Sequence, residues 1–280
     1  MNEINCIVMS LERGLTNQFL DIPPATESIL RDLSGQGVVL GLSSANSLFF
    51  METFLKDKRL NGVFSFLIGD SSAVYKNLQT GETKILSSLS LATVLDTASS
   101  LENLPVSCGV FYQNELVFDK PGVYALWYGL SHMEKIVTSG FSSIDPEARF
   151  AKILICGSKT LLQKIEGAFT VQNVKLLHPQ KNVLEVVSDS TSMYEALKLA
   201  MLQFGLQPQH VLYFGQSDKD IPALEQTFGV CMKDSSPNVM KVSRRCTKYN
   251  APQNGIGYML NALRMEKLCV FKKPNREAEK

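Results

Sequence analysis

The sequence predicts an α/β protein, in which a parallel sheet with helical crossovers is interrupted by an inserted α+β unit. Three observations carry that expectation. Short, nearly continuous apolar runs alternate with helix-length segments at the start of the chain, as strands buried on both faces do. From about residue 79 the alternation gives way to hairpin-like pairs. After residue 187 it resumes. The expected organisation is a discontinuous core domain over 1–78 and 188–280, with an α+β domain over 79–187.

The first run, Ile4 to Met9, reads as a buried strand. A loop with Pro23 and Pro24 leads to a helix over Thr26 to Leu33, with Thr26 as its cap and Gly35 and Gly37 as its stop. Val38 to Leu42 is a second strand, and the small polar run Ser43 to Asn46 opens a helix reaching about Lys56. Val63 to Ile68 makes a third strand. In the insertion, a helix over Leu89 to Leu101 precedes strands at Val106 to Tyr112 and Glu115 to Phe118, joined by a Gln113-Asn114 turn. Further strands are expected at Lys152 to Cys156, Val174 to Leu177 and Val183 to Val187, with a helix over Leu161 to Phe169. Tyr124, Trp127 and Tyr128 share one segment, where aromatic spacing favours a core role over a ligand cleft. Beyond the insertion, Met193, Ala196, Leu197, Ala200, Met201 and Phe204 form one face of a helix starting near Ser192. A strand at Val211 to Phe214, a helix at Ile221 to Gln226, a strand at Val230 to Met232 and a helix opened by Ser236-Pro237 complete the alternation.

Composition excludes several classes. Basic and acidic side chains number 28 and 27, leaving a net charge of +1 and no positive field to attract nucleic acid or anionic membrane. The six cysteines are scattered without a Cys-x-x-Cys pair, and His132, His178 and His210 stand alone, which argues against zinc. Cys6, Cys156 and Cys231 lie in apolar runs, where a thiol acts as a small hydrophobe. The start of the chain has no basic region followed by an apolar stretch, no run is long enough to span a bilayer, and a reducing, cytoplasmic setting is expected. Lys272 to Arg276, followed by Glu277 and Glu279, reads as a solvated tail. The Gly35-Gln36-Gly37…Gly41 run precedes its strand instead of following one, so it is not a dinucleotide loop.

Six segments, taken in order, carry a resemblance. Ser10-Leu11-Glu12-Arg13-Gly14 after the first strand is similar to the motif Asp-x-Asp-Gly-Thr, Ser44-Ala45-Asn46 to Thr-Gly-Arg, and Ser71-Ser72-Ala73 to Asn-Gly-Ala. Glu185 to Leu197 resembles Glu-Ile-x-Pro-x-Gly-x-x-Lys-Gly-x-Ala-Leu, which sets Met193 at the lysine. Gly215-Gln216-Ser217-Asp218-Lys219-Asp220-Ile221-Pro222-Ala223-Leu224 resembles Gly-Asp-x-x-Asn-Asp-Ile-x-Met-Leu, and Asn254-Gly255-Ile256 a terminal Asp-Gly-Val. Together these resemble the Cof-type (subfamily IIB) branch of the haloacid dehalogenase superfamily, whose members carry an α+β cap inserted into a Rossmann-like core.

That resemblance implies a phosphatase in which the first aspartate attacks phosphorus, the second acts as acid and base, a motif-two hydroxyl and a lysine hold phosphate, and acidic residues bind magnesium. Here Ser10 stands at the nucleophile and Glu12 at the acid/base position. Arg13, Ser44, Ala45, Asn46 and Met193 fall at ligand-binding positions, and Gln216, Asp218 and Asp220 in the metal region. The nucleophile, one metal carboxylate and the lysine charge are all replaced, so the expected magnesium binding is weak or absent. Two readings follow. One is a non-catalytic binding or regulatory protein that retains a phosphorylated small molecule or engages a protein partner. The other is a sugar-phosphate-type hydrolase with a shifted mechanism, using Glu12 or Asp220 and a metal held by Asp218 and Asp220. Taken singly, the same residues have plainer readings: Met193 as core, Ser10 and Ser44 as turn residues, Glu12 and Arg13 as loop charges, Asp220 as a helix cap.

Overall fold

The structure, a computed structural model, describes residues 2–113, 115–132 and 134–274. Met1, Asn114 of the expected turn, and Asn275, Arg276, Glu277 and Glu279 of the expected tail lie outside the described residues. The chain divides into two compact units, Met1–Lys84 with Ser192–Lys280, and Ile85–Thr191.

In the first unit the central strand is Cys6–Ser10, whose apolar run Cys6 to Met9 is buried on both faces. Val39–Ser43 and then Phe66–Gly69 lie parallel on one side of it; Val211–Gly215, Phe228–Cys231 and Arg245–Cys246 lie parallel on the other. Val74–Asn77 turns back antiparallel to Phe66–Gly69, and Thr83–Ile85 forms the edge. Strand alternation divides the side chains between two cores. Ile7, Met9, Leu40, Leu42 and Phe214 pack with the helices Pro24–Gly35, Leu48–Asp57 and Gly255–Met265. Cys6, Val8, Val39, Ile68 and Tyr213 pack with the helix Met193–Phe204 through Met193, Ala196, Leu197 and Ala200. Each Val, Leu, Ile, Phe or Met side chain among them, where fully buried, contributes roughly 1.5–3 kcal/mol. At Gly41 a Cβ would stand 2.2 Å from the Phe66 ring, so the sheet needs glycine there.

The register aligns the strand ends: Ser10 is opposite Ser43, Ser43 opposite Ile68, and Met9 opposite Phe214. The chain leaves Cys6–Ser10 toward one side and later returns on the other. The crevice at its C-terminal end is therefore a topological switch point, where open α/β sheets bind ligands.

In the second unit a six-stranded sheet runs in the order Ile136–Val137, Glu115–Phe118, Ser107–Tyr112, Ile153–Cys156, Val183–Ser188, Val174–Gln180, antiparallel except for the first pair. Cys108, Val110, Ile153, Ile155, Leu184 and Val186 face the helices Leu91–Ser100 and Lys159–Ala168. On the opposite face, Leu116, Phe118, Leu154 and Cys156 lie under the helix Val123–Ser131, which contributes Ala125 and Tyr128. Lys152 Nζ and Glu185 Oε1 form an ion pair at 2.7 Å with both side chains almost fully buried.

Several elements differ from the sequence reading. Residues 79–84, assigned there to the insertion, stay with the first unit because Asn77 ties the turn down: Glu82 O accepts from Asn77 N, and Asn77 Oδ1 accepts from Gln79 N and Thr80 N. Residues 188–191 join the second unit, where Lys175 Nζ donates to Asp189 O and Thr191 O. Thr26 is not a cap. The helix starts at Pro24 and Thr26 is buried in its first turn, donating its hydroxyl to Asn254 Oδ1. The following helix begins at Leu48, capped by Ser47, because Ser44 and Asn46 are held in the preceding loop. Tyr128 is buried core, whereas Trp127 on the same helix is 56% exposed. Among the described residues no helix is long and apolar enough to cross a membrane.

Candidate functional site

The loops that carry the first, second and fourth motifs leave the C-terminal ends of neighbouring strands at the switch-point crevice. Ser10 ends the central strand, and its hydroxyl donates to the Glu12 backbone carbonyl at 3.2 Å. The loop folds tightly back on itself: Leu15 N donates to Ser10 O, and Thr16 donates both its N–H and its hydroxyl to Leu11 O. Gly14 permits this, since a Cβ there would lie 2.6 Å from the Ser10 carbonyl oxygen. Glu12 then turns its carboxylate toward the second motif. Glu12 Oε1 accepts from the Ser44 hydroxyl and from Asn46 Nδ2 at 2.7 Å, while Ser44 Oγ accepts from Asn46 N at 2.9 Å. Ala45 links the two donors.

The third motif holds that loop in place. Asp70 N donates to Asn46 O at 2.8 Å and Ser71 N to Ser44 O at 3.3 Å. Asp70, Ser71 and Ser72 all have positive φ, at 49°, 55° and 80°, a run that non-glycine residues adopt only at a cost of roughly 1–2 kcal/mol each. Ser72 Oγ donates weakly to the Met193 thioether at 3.8 Å. Met193 is buried and packs in the core, so the plain reading of this residue describes its packing.

On the other side of the central strand, Asp220 is 3% exposed and fully engaged. Oδ1 accepts from Tyr213 Oη at 2.7 Å; Oδ2 accepts from Gln216 N and Ser217 N at 2.9 Å and from Ser217 Oγ at 3.0 Å. This is a reciprocal capping box on the short helical turn Asp218–Asp220. Burial, reinforced by the Asp220 charge, holds the Tyr213 hydroxyl well above its ordinary pKa, so it stays a donor. Asp218 accepts from Ser236 Oγ at 2.8 Å. Gln216 Nε2 donates to Asp234 Oδ1 at 2.8 Å, and Arg13 approaches Asp234 at 3.6 Å. Beside them Glu12, Arg13, Asn17, Asp234 and Asn250 help to line a cleft of about 290 Å³.

Magnesium takes near-octahedral oxygen ligands, including one or two carboxylates. The residues at the family's metal positions do not fit it. Ser10 offers a neutral hydroxyl turned to a backbone carbonyl, and Gln216 presents its amide as a donor to Asp234. Asp220 is committed to its neighbours, with three donors converging on Oδ2 and the buried Tyr213 hydroxyl on Oδ1. Among the described residues no group of three or more His, Cys, Asp or Glu is placed to hold a metal. Within the first unit the histidine, His210, precedes the strand Val211–Gly215, at the end away from the crevice, and is not placed to activate Ser10.

Sequence reasoning did not single out Asp234 or Tyr213. Asp234 follows the strand Phe228–Cys231 at the same edge of the sheet as the other motifs, and that placement was the available signal. Tyr213 sits in an apolar run, and nothing in the sequence marks its hydroxyl as the partner of Asp220.

The family model of the haloacid dehalogenase-like hydrolases matches residues 14–260. The chain belongs to the haloacid dehalogenase superfamily. The matching family model is that of the Cof-type branch. A haloacid dehalogenase-like hydrolase from Bacteroides thetaiotaomicron superimposes with a TM-score of 0.83 at 19% identity, covering 93% of this chain and 100% of that one. A protein from Thermotoga maritima gives 0.80 at 17% identity, covering 92% and 97%. A haloacid dehalogenase subclass IIB sugar phosphatase gives 0.77 at 14% identity, covering 93% and 99%. At these identities the likeness is one of fold. No curated protein matches the chain in sequence.

Two backbone positions accord with the motif alignment of this haloacid dehalogenase relative. Arg13, with φ of 60°, and Ser72, with φ of 80°, stand where the motifs Asp-x-Asp-Gly-Thr and Asn-Gly-Ala have glycine. The left-handed backbone is present at both, although the residue that adopts it most easily is not.

Proposed function

We propose that this protein is a non-catalytic member of the haloacid dehalogenase superfamily, a pseudophosphatase that acts by binding instead of turnover. One observation carries the reading: the three groups that would make and stabilise an aspartyl-phosphate are absent or engaged elsewhere. Ser10 has no carboxylate and donates to a backbone carbonyl, Met193 has no charge and is buried, and Asp220 serves as a cap. Without the nucleophile the covalent step is lost outright. Engagement of Asp218 by Ser236 and of Asp220 by four donors also weighs against a shifted mechanism with a metal between those two acids.

The test restores the missing groups. Wild type and Ser10→Asp/Glu12→Asp/Met193→Lys/Gln216→Asp are assayed on a phosphomonoester panel with and without magnesium. The expected result is a silent wild type and magnesium-dependent turnover in the quadruple variant. Turnover by the wild type overturns the proposal.

A further inference from the structure

We propose that the Glu12 carboxylate is a built-in anion occupying the oxyanion cradle of this fold, so that the protein carries a latent phosphate site held shut by its own side chain. The inference rests on the non-catalytic reading of the same site and adds to it a reason why phosphate is excluded. Ser44 and Asn46, 4% and 7% exposed, both direct a hydrogen-bond donor at Glu12 Oε1. Ser44 Oγ also accepts from Asn46 N, which fixes the rotamer that aims its proton at Glu12. An anion arriving from solvent therefore meets two donors already matched, beside a fixed negative charge. Opposite-charge complementarity, the usual attraction of such a cradle, is reversed in sign.

The side chain's length explains the arrangement. Ser10 and Ser43 are opposed across neighbouring strands, so the loop that follows Ser10 runs beside the Ser44–Asn46 loop. Glutamate has one more C–C bond than aspartate, about 1.5 Å of reach. An aspartate on the same backbone would stop short of the two donors. The cradle itself does not depend on Glu12, because the strained Asp70–Ser72 turn holds it through Asp70 N to Asn46 O and Ser71 N to Ser44 O. Removing the carboxylate leaves preorganised donors next to the 290 Å³ cleft that Glu12 helps to line.

The probe is inorganic phosphate, titrated calorimetrically at low ionic strength into full-length wild type, Glu12→Ala, Glu12→Gln and Glu12→Ala/Ser44→Ala. Glutamine keeps an acceptor oxygen in the cradle without the charge. Wild type and Glu12→Gln are expected to give no saturable binding at millimolar phosphate. Glu12→Ala should gain at least about tenfold in affinity, equivalent to about 1.4 kcal/mol, and lose it again in the double variant. Equal binding by wild type and Glu12→Ala, a gain that survives Ser44→Ala, or an equal gain in Glu12→Gln each overturns the proposal. If Glu12→Ala fails to fold by circular dichroism, Glu12→Asp must show the gain, and its absence overturns the proposal. Turnover by wild type would sink the non-catalytic reading while leaving these titrations unchanged, so the two failures are distinguishable.

Discussion

Asp220 separates a structural carboxylate from a catalytic one, and Asp220→Ala measures the difference. The substitution removes four acceptor contacts at once: Tyr213 Oη, the Gln216 and Ser217 amides, and Ser217 Oγ. The Tyr213 hydroxyl is buried and has no solvent to replace its partner, and leaving such a donor unmatched costs about 1–3 kcal/mol. Losing the cap on the Asp218–Asp220 turn costs about 0.5–2 kcal/mol more. The two effects share one side chain, so roughly 3 kcal/mol in total is expected. In a domain of this size that lowers Tm by roughly 6–12 °C. Asp220→Asn should lose only about a third as much, because the amide oxygen can take the backbone N–H groups while its nitrogen donates to Tyr213 Oη. The assay is thermal unfolding followed by circular dichroism, with and without magnesium. An unchanged or higher Tm in Asp220→Ala would refute the reasoning, because a carboxylate held in strain for catalysis gives that response when removed.

Two further expectations concern the inserted unit. Lys152→Ala or Glu185→Ala removes one half of a nearly fully buried ion pair and should lower stability by about 3–5 kcal/mol, whereas Lys152→Met/Glu185→Leu should lose much less; urea denaturation that finds the double variant worse than either single one contradicts this. His132 packs on the Tyr128 ring at 4.0 Å and donates from Nδ1 to Tyr128 O at 2.8 Å, and burial, with Lys152 adding to it, holds its pKa below the ordinary value. The unfolded chain therefore binds this proton before the folded one does, so stability is fully present above about pH 6.5 and declines below it, by at most about 1.4 kcal/mol per pH unit. Melting from pH 5 to 8 should show a shallower acid loss in His132→Asn, and parallel profiles would count against the assignment.

Much of the core was legible in the sequence because each buried strand is a short continuous apolar run with polar residues at its end. Cys6–Ser10 and Val211–Gly215 are both of this kind, and the residues that close them, Ser10 and Gly215, begin the motifs. The helix Val123–Ser131 was missed for a physical reason. It has no charged residue and a glycine N-cap without a side-chain bond, so neither amphipathic contrast nor a cap marks it. The helix Gly255–Met265 begins with Gly255, Ile256 and Gly257, whose two glycines weaken the helical signal, and Gly257 owes its place to a contact: a Cβ there would meet Asn254 Oδ1 at 2.3 Å. At the site, the replaced groups at Ser10, Met193 and Gln216 could be read directly. The pairing of Glu12 with Ser44 and Asn46, and of Asp220 with Tyr213, could not, because each joins residues on different strands or turns and depends on register.

The central claim is that this haloacid dehalogenase fold does not turn over phosphomonoesters, and the most direct test is steady-state phosphate release by purified wild type across a broad panel, with saturating magnesium and with chelator. The account predicts no release above the uncatalysed background in either condition. Magnesium-dependent release by the wild type that disappears in Asp220→Ala, measured at a temperature where that variant is still folded, would contradict it.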